Sequence, residues 1–142
     1  MDNIEAMLYI VGVTVATEVP PNAPIEEFKA VTDVIRNRTN RSGDVGDMVL
    51  VVLAKNQFSA VCREAYWRRA MAGKWISSHV DKCIELVKTD WEDTTDGATY
   101  YYSPISMEPR GSIPSWATKF EEKQVAGVRS DYFRFYKGEY IL

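Results

Sequence analysis

The chain has 142 residues, 46% of them hydrophobic and 26% charged. That length and balance predict one globular domain over residues 1–142 and exclude a disordered chain. A net charge of −3 and a pI near 5.2 exclude a broad electrostatic grip on nucleic acid or an anionic membrane. His79 is the only histidine, and Cys62 and Cys83 lack a CxxC spacing. No zinc site and no cofactor are therefore expected, and the cysteines read as reduced and structural, with a disulfide as the alternative. The first apolar run is interrupted by Gly12 and follows no basic segment. It predicts neither a signal peptide nor stable membrane insertion, and hence a protein folded in a cytoplasm.

Residues 3–17 are apolar almost all round, so periodicity cannot separate a buried helix from a buried strand. Length favours helix. The second element is a helix opened by Pro24 with Glu26 and Glu27 at its positive end. Phe28, Val31 and Ile35 form one apolar stripe and Ala30, Val34 and Asn37 another. Asn37 on that face either bonds nearby backbone or is poised for a ligand. After Gly43, Asp44 with Asp47 marks a third helix carrying MVLVVL, residues 48–53, and ending near Lys55.

A polar turn, Asn56-Gln57-Phe58-Ser59, and a short helix over 65–72 follow. Ser78 with Asp81 then opens an amphipathic helix that aligns Val80, Cys83, Ile84, Val87 and Trp91. His79 falls in its first turn, read as surface-facing and without a partner. The segment DTTDG, residues 93–97, is a turn, residues 98–102 (ATYYY) a strand bounded by Pro104, and residues 131–136 (DYFRFY) a half-buried strand. Helices first and strands later predict an α+β fold, mostly helical with a small antiparallel sheet in the C-terminal third.

Glu18 is the leading candidate for chemistry. It ends the first apolar run and is followed by Val19-Pro20-Pro21, which neither a helix nor a central strand can cross. A carboxyl held at the rim of a core is partly desolvated, which favours its neutral form and raises its pKa. A protonated carboxyl near neutrality suits a general acid, as in glycoside cleavage. A solvated glutamate capping the element is the plainer alternative. With one histidine, a Ser–His mechanism is not expected, and no phosphate-cradling glycine loop occurs. Eight Tyr, five Phe and four Trp suit a carbohydrate groove, although strands favour such residues anyway.

The ordered series ATEVPPNAP, VIRNRTN, NQFSAV, GATYYYSP, PSWA and RSDYFRFY resembles the SleB-type cell wall hydrolase family, across residues 16–136. Members run from a GEARGE-like segment through an LNR-type triplet, a QFS turn, an ATHYH- or ALYYxNP-like strand and a W motif to an RFY-type strand. The resemblance implies a lysozyme- or transglycosylase-like domain that cuts the MurNAc–GlcNAc β-1,4 bond of peptidoglycan. It puts the catalytic acid on Glu18 and substrate contacts on Asn37, Gln57, Phe58, Ser59, Thr99, Tyr100, Tyr102, Ser115 and Trp116. This chain departs from the pattern in lacking a second Glu four residues on, and in carrying Tyr100 and Tyr102 where relatives often have His.

The resemblance, together with the lack of a second carboxylate in a clear motif position (Asp33 is the nearest), implies a lytic transglycosylase that forms a 1,6-anhydro end. A hydrolytic muramidase, a peptidoglycan amidase or endopeptidase, and a non-catalytic wall-binding virion module are the alternatives. The expected partners are peptidoglycan glycan strands, the expected state a monomer, and the expected setting a phage endolysin. Such an enzyme is held in the host cytoplasm until lysis and then acts in the periplasm and cell wall.

Overall fold

The computed structural model describes residues 2–54 and 77–141. The expected helix over 65–72, the turn bearing Gln57, Phe58 and Ser59, and Cys62 lie outside the described residues. Among the described residues, four α-helices precede a three-stranded antiparallel sheet. This is the α+β order expected when helix-forming segments come first.

Helix α1 spans Asn3–Glu18, and the Asp2 side chain accepts the Glu5 N–H at 2.8 Å as its N-cap. The undecided apolar run is thus a helix, buried all round from Val11 to Ala16. Its threonines are accommodated because the Thr14 and Thr17 hydroxyls donate back to the carbonyls of Ile10 and Thr14, at 2.8 and 2.7 Å. Helix α2, Ile25–Arg38, is central: Phe28, Ala30, Val31, Val34 and Ile35 are all fully buried, on the two stripes the sequence predicts. Helix α3, Val45–Leu53, is capped by Asp44, whose carboxylate accepts the Gly46 N–H at 2.8 Å.

Helix α4, Ser77–Lys88, buries Val80, Cys83 and Val87 and leaves Glu85 and Lys88 paired at the surface. Two expectations about this segment are corrected. Trp91 lies beyond the end of the helix, so it is not on the stripe; its indole N–H donates to Asp33 Oδ2 at 3.0 Å. His79 does not face solvent: it is buried, stands edge-on to Phe28, and its Nε2 lies 2.9 Å from the Ala16 carbonyl oxygen. A polar residue in a first turn reads as exposed only when no other element covers that turn, and here α1 covers it.

Gly12 meets Ile84 and Ala16 meets His79, so α4 runs antiparallel to α1. A Cβ on Gly12 would lie 2.6 Å from Ile84 Cγ1 and 3.1 Å from the Ile84 backbone. Glycine therefore sets the distance between these helices. Gly12→Leu is expected to destabilise the chain by roughly 1–3 kcal/mol through overpacking, more than the ~1 kcal/mol that losing glycine returns to a helix. A lowered midpoint in urea would show it, and an unchanged midpoint would mean the helices can part freely.

Between α4 and the sheet, Asp93 organises the expected turn by accepting from the N–H and hydroxyl of Thr95 and the N–H of Gly97, each at 2.8 Å. Gly97 has φ +88°, a conformation open to glycine at little cost. Strand β1 is Tyr100–Tyr102, β2 Glu121–Lys123 and β3 Arg134–Lys137, in the order β1-β3-β2. Tyr101 pairs with Phe135 and Tyr100 with Tyr136. Phe133 and Phe135 face the core, as the alternation predicts, but Tyr136 on the opposite side is also buried, because Trp116 and Tyr102 cover it. Strand β2 carries no pattern that marks it in advance, since its three residues are Glu, Glu and Lys.

Glu27, fully buried on α2, accepts a two-pronged pair of bonds from the Arg129 guanidinium at 2.8 Å each and one from the Arg129 backbone N–H at 3.0 Å. This fork holds the loop before β3 against α2.

Candidate active site

Three chain segments converge on Glu18: the end of α1, the end of α2 and strand β1. Pro20 and Pro21 force the chain out of α1, and the cap residue Val19 is extended at φ −120°, ψ 124°. The last side chain of the helix is thereby left at the edge of the core, partly exposed. Burial raises the Glu18 pKa above the usual carboxylate value, as a rim position predicts; the Tyr101 hydroxyl and the Arg38 charge act in the opposite sense. The carboxyl thus favours its proton while two groups stand ready to stabilise the anion.

Tyr101 faces Glu18 because successive strand residues point to opposite sides. Its ring packs on Phe133 and Phe135, with centroids 5.9 and 5.7 Å away. Burial, followed by the Glu18 charge, pushes its phenol pKa well up, so the hydroxyl keeps its hydrogen. Arg38 is itself buried. Its Nε donates to the Thr99 carbonyl at 2.7 Å, and its guanidinium lies over the rings of Tyr140 and Tyr100 at 4.6 and 5.3 Å. Burial lowers its pKa, but a guanidinium remains charged near neutrality.

Among the described residues, three other inward-facing carboxylates are already committed. Glu27 is forked by Arg129. Asp33 is fully buried and accepts from Arg41 at 3.2 Å, the Trp91 indole at 3.0 Å, and the Thr94 N–H and hydroxyl at 3.0 and 2.6 Å. It cannot reach a sugar, which removes it as a second catalytic carboxylate. Asp93 is held below the usual carboxylate range by its bonds to Thr95, Gly97 and Asn37, which outweigh its burial. Among the described residues no cluster of His, Cys, Asp and Glu could hold a metal ion.

The other sequence candidates divide by the side of the sheet they occupy. Asn37 Nδ2 donates to Thr95 Oγ1 at 3.2 Å and the Ala98 carbonyl at 2.9 Å, and its Oδ1 accepts from Arg41 at 3.1 Å. Its amide ties the end of α2 to the turn before β1. Thr99 exchanges bonds with Gly138, donating its hydroxyl to the carbonyl at 2.7 Å and accepting the N–H at 3.2 Å. Tyr100 and Tyr102 face away from Tyr101, into a cluster with Trp116, Phe120, Tyr136 and Tyr140. Tyr100 donates its hydroxyl to the Glu139 carbonyl at 2.9 Å. Ser115 is exposed and starts a short 3-10 turn, Ser115–Thr118, that carries Trp116.

Tyr102 also lines a cavity of about 360 Å³ with Arg110, Ser112, Ile113 and Arg134. A larger cleft of about 830 Å³ is lined by Arg36, Arg41, Lys88, Asp90 and Trp91 and contains none of the candidates.

Sequence reading missed Tyr101 and Arg38 as neighbours of Glu18. The alternation that separates Phe133 and Phe135 from Tyr132 and Tyr136 was the available signal. Applied to Tyr100-Tyr101-Tyr102, it places the middle tyrosine alone on the core side. Arg38 had no comparable marker beyond sitting next to Asn37.

The cell wall hydrolase family model matches residues 22–134, and the chain belongs to that family. Glu18 stands just ahead of the matched stretch. The structure is similar to the catalytic domain of the germination-specific lytic transglycosylase SleB from Bacillus anthracis, with a TM-score of 0.59 and 19% identity over 96% of this chain and 100% of that one. No curated protein matches the sequence.

Proposed function

We propose that this cell wall hydrolase cuts the MurNAc–GlcNAc β-1,4 bond of peptidoglycan, with Glu18 as acid and then base. The observation that carries the reading is the place of the Glu18 carboxyl at the rim of the core, where burial raises its pKa and the Tyr101 hydroxyl and Arg38 guanidinium face it. Glu18 gives its proton to the glycosidic oxygen as the bond from that oxygen to C1 of MurNAc breaks. The sugar left behind has oxocarbenium character, and the GlcNAc side leaves as an alcohol. Glu18, now an anion stabilised by Tyr101 and Arg38, takes the proton of the muramyl 6-hydroxyl. The 6-oxygen closes on C1, no water is consumed, and Glu18 is an acid again.

Transglycosylation is favoured over hydrolysis because Asp33, the second carboxylate that the sequence offers, is fully buried and engaged by four bonds. An attacking hydroxyl on the substrate itself needs no further base and gains from proximity. Asn37 and Thr99 enter as positioning residues, through their bonds to the segment before β1 and to Gly138. Arg38, which faces Glu18 and also lies over the Tyr100 and Tyr140 rings, links the acid to the aromatic cluster around Trp116 on the other face of β1, and that cluster is proposed to hold sugars of the glycan away from the scissile bond.

Digestion of purified sacculi followed by mass spectrometry of the released muropeptides tests the reaction. Anhydro-muramyl ends, lighter by one water than reducing ends, are expected. Reducing ends would replace the transglycosylase with a muramidase. Cut stem peptides would overturn the glycosidase reading, and binding without release would make the chain a wall-binding module. The endolysin role is part of the same proposal; host lysis on co-expression with a membrane-permeabilising holin is its expected result, and intact cells would remove it.

A further inference from the structure

Helix α1 ends in a way that leaves the Ala16 carbonyl without its ordinary partner. The last carbonyls of a helix lack intrahelical donors, and backbone N–H groups just beyond the end commonly supply them. With Val19 as the C-cap, the next two positions are Pro20 and Pro21, and proline has no N–H to give. The carbonyl that both common capping motifs would reach from those two positions is that of Ala16. Val19 donates its own N–H to Val15 at 3.0 Å, and so does not serve Ala16. The Ala16 carbonyl is instead met by His79 Nε2, at 2.9 Å, from the first turn of α4.

We propose that His79 is a positioning residue for Glu18, replacing from a neighbouring helix the cap that Pro20 and Pro21 cannot provide. The inference rests on the reading of Glu18 as the acid, two residues beyond Ala16, and adds to it what holds that acid in place. The bond requires the tautomer with hydrogen on Nε2. His79 is 8% exposed and its Nδ1 has no hydrogen-bond partner among the described residues. Its ring is fixed by the Phe28 edge at a centroid distance of 5.6 Å, and Lys82, one turn further along α4, lies over the same Phe28 ring at 4.2 Å. An unpaired buried nitrogen is costly, and that cost is borne where α4 meets the end of α1.

Without the bond, the last turn of α1 frays and Glu18 meets more water. Arg38 from α2 and Tyr101 from β1 face the carboxyl and both favour its anion. Losing burial therefore leaves nothing to hold the proton, and the Glu18 titration moves down toward the ordinary carboxylate range.

The test is carbon-13 NMR titration of the Glu18 carboxyl in the full chain, which needs no substrate, alongside thermal midpoints and sacculus release rates. Gln at 79 can place an amide N–H near Nε2, whereas Asn falls short and Phe has no donor. His79→Gln is expected to titrate like the parent. His79→Asn and His79→Phe are expected to titrate at lower pH and to release muropeptides roughly tenfold or more slowly, since small misplacements of a catalytic group are costly.

The proposal is overturned if Asn and Phe titrate like the parent, or if Gln shifts as far as Phe. Should the Phe chain fail to fold, the Gln–Asn comparison decides alone. A shift in the titration of a chain whose parent releases no muropeptides would overturn the glycosidase reading and leave the role of His79 standing.

Discussion

Glu18→Gln is expected to lower the rate of muropeptide release by roughly 10²–10⁴-fold, the span that a positioned general acid contributes. The amide keeps the size and much of the hydrogen bonding of the protonated acid but has no proton to give. Stability should not fall. Because burial raises the folded-state pKa of Glu18, the folded chain holds this proton more tightly than the unfolded one. The stabilisation this gives is fully present below the unfolded carboxylate pKa and is lost as pH rises through the folded value. Near and above neutrality the Gln chain should therefore melt at the same temperature as the parent or slightly higher, with no gain at acid pH. Activity of the parent should fall on the alkaline side as Glu18 loses its proton. A Gln chain that still clears sacculi at the parental rate would remove Glu18 from the chemistry.

What could be read in the sequence follows the range over which each signal acts. Helices α1 to α4 were legible wherever capping residues and apolar spacing are local properties, as at Asp44 and along Phe28-Val31-Ile35. The rim position of Glu18 was legible because an apolar run and two prolines bracket it. Partnership was not legible. Asp33 read as a spare carboxylate until Arg41, Trp91 and Thr94, the last two about sixty residues away, closed around it. His79 read as solvated for the same reason, its partner being a carbonyl on α1.

Asn37 read equally as a core amide or a ligand contact, and its bonds go to Thr95, Ala98 and Arg41. Strand β2 was invisible because an edge strand of charged residues has no apolar face to announce it. The family resemblance carried information of another kind, namely the order of motifs, and the match over residues 22–134 agrees with it.

Tyr101→Phe should separate two influences that act on the same carboxyl. The Phe ring keeps the packing on Phe133 and Phe135, so the thermal midpoint should change little. What is lost is the hydroxyl that favours the Glu18 anion. The acid then becomes harder to ionise, and the alkaline limb of activity moves to higher pH. This is the opposite direction from that expected for His79→Phe, because one variant removes a stabiliser of the charged form and the other removes burial. The rate at the optimum should nevertheless fall by roughly 10–100-fold, corresponding to the ~1.5–3 kcal/mol of a hydrogen bond to a charged group. The anion that Tyr101 supports is the state in which Glu18 must accept the muramyl proton. Tyr100→Phe is the internal control: its hydroxyl bonds the Glu139 carbonyl on the other side of the sheet, so its pH limb should stay where it is. If the limb moves in Tyr100→Phe and not in Tyr101→Phe, the side of the sheet assigned to catalysis is wrong.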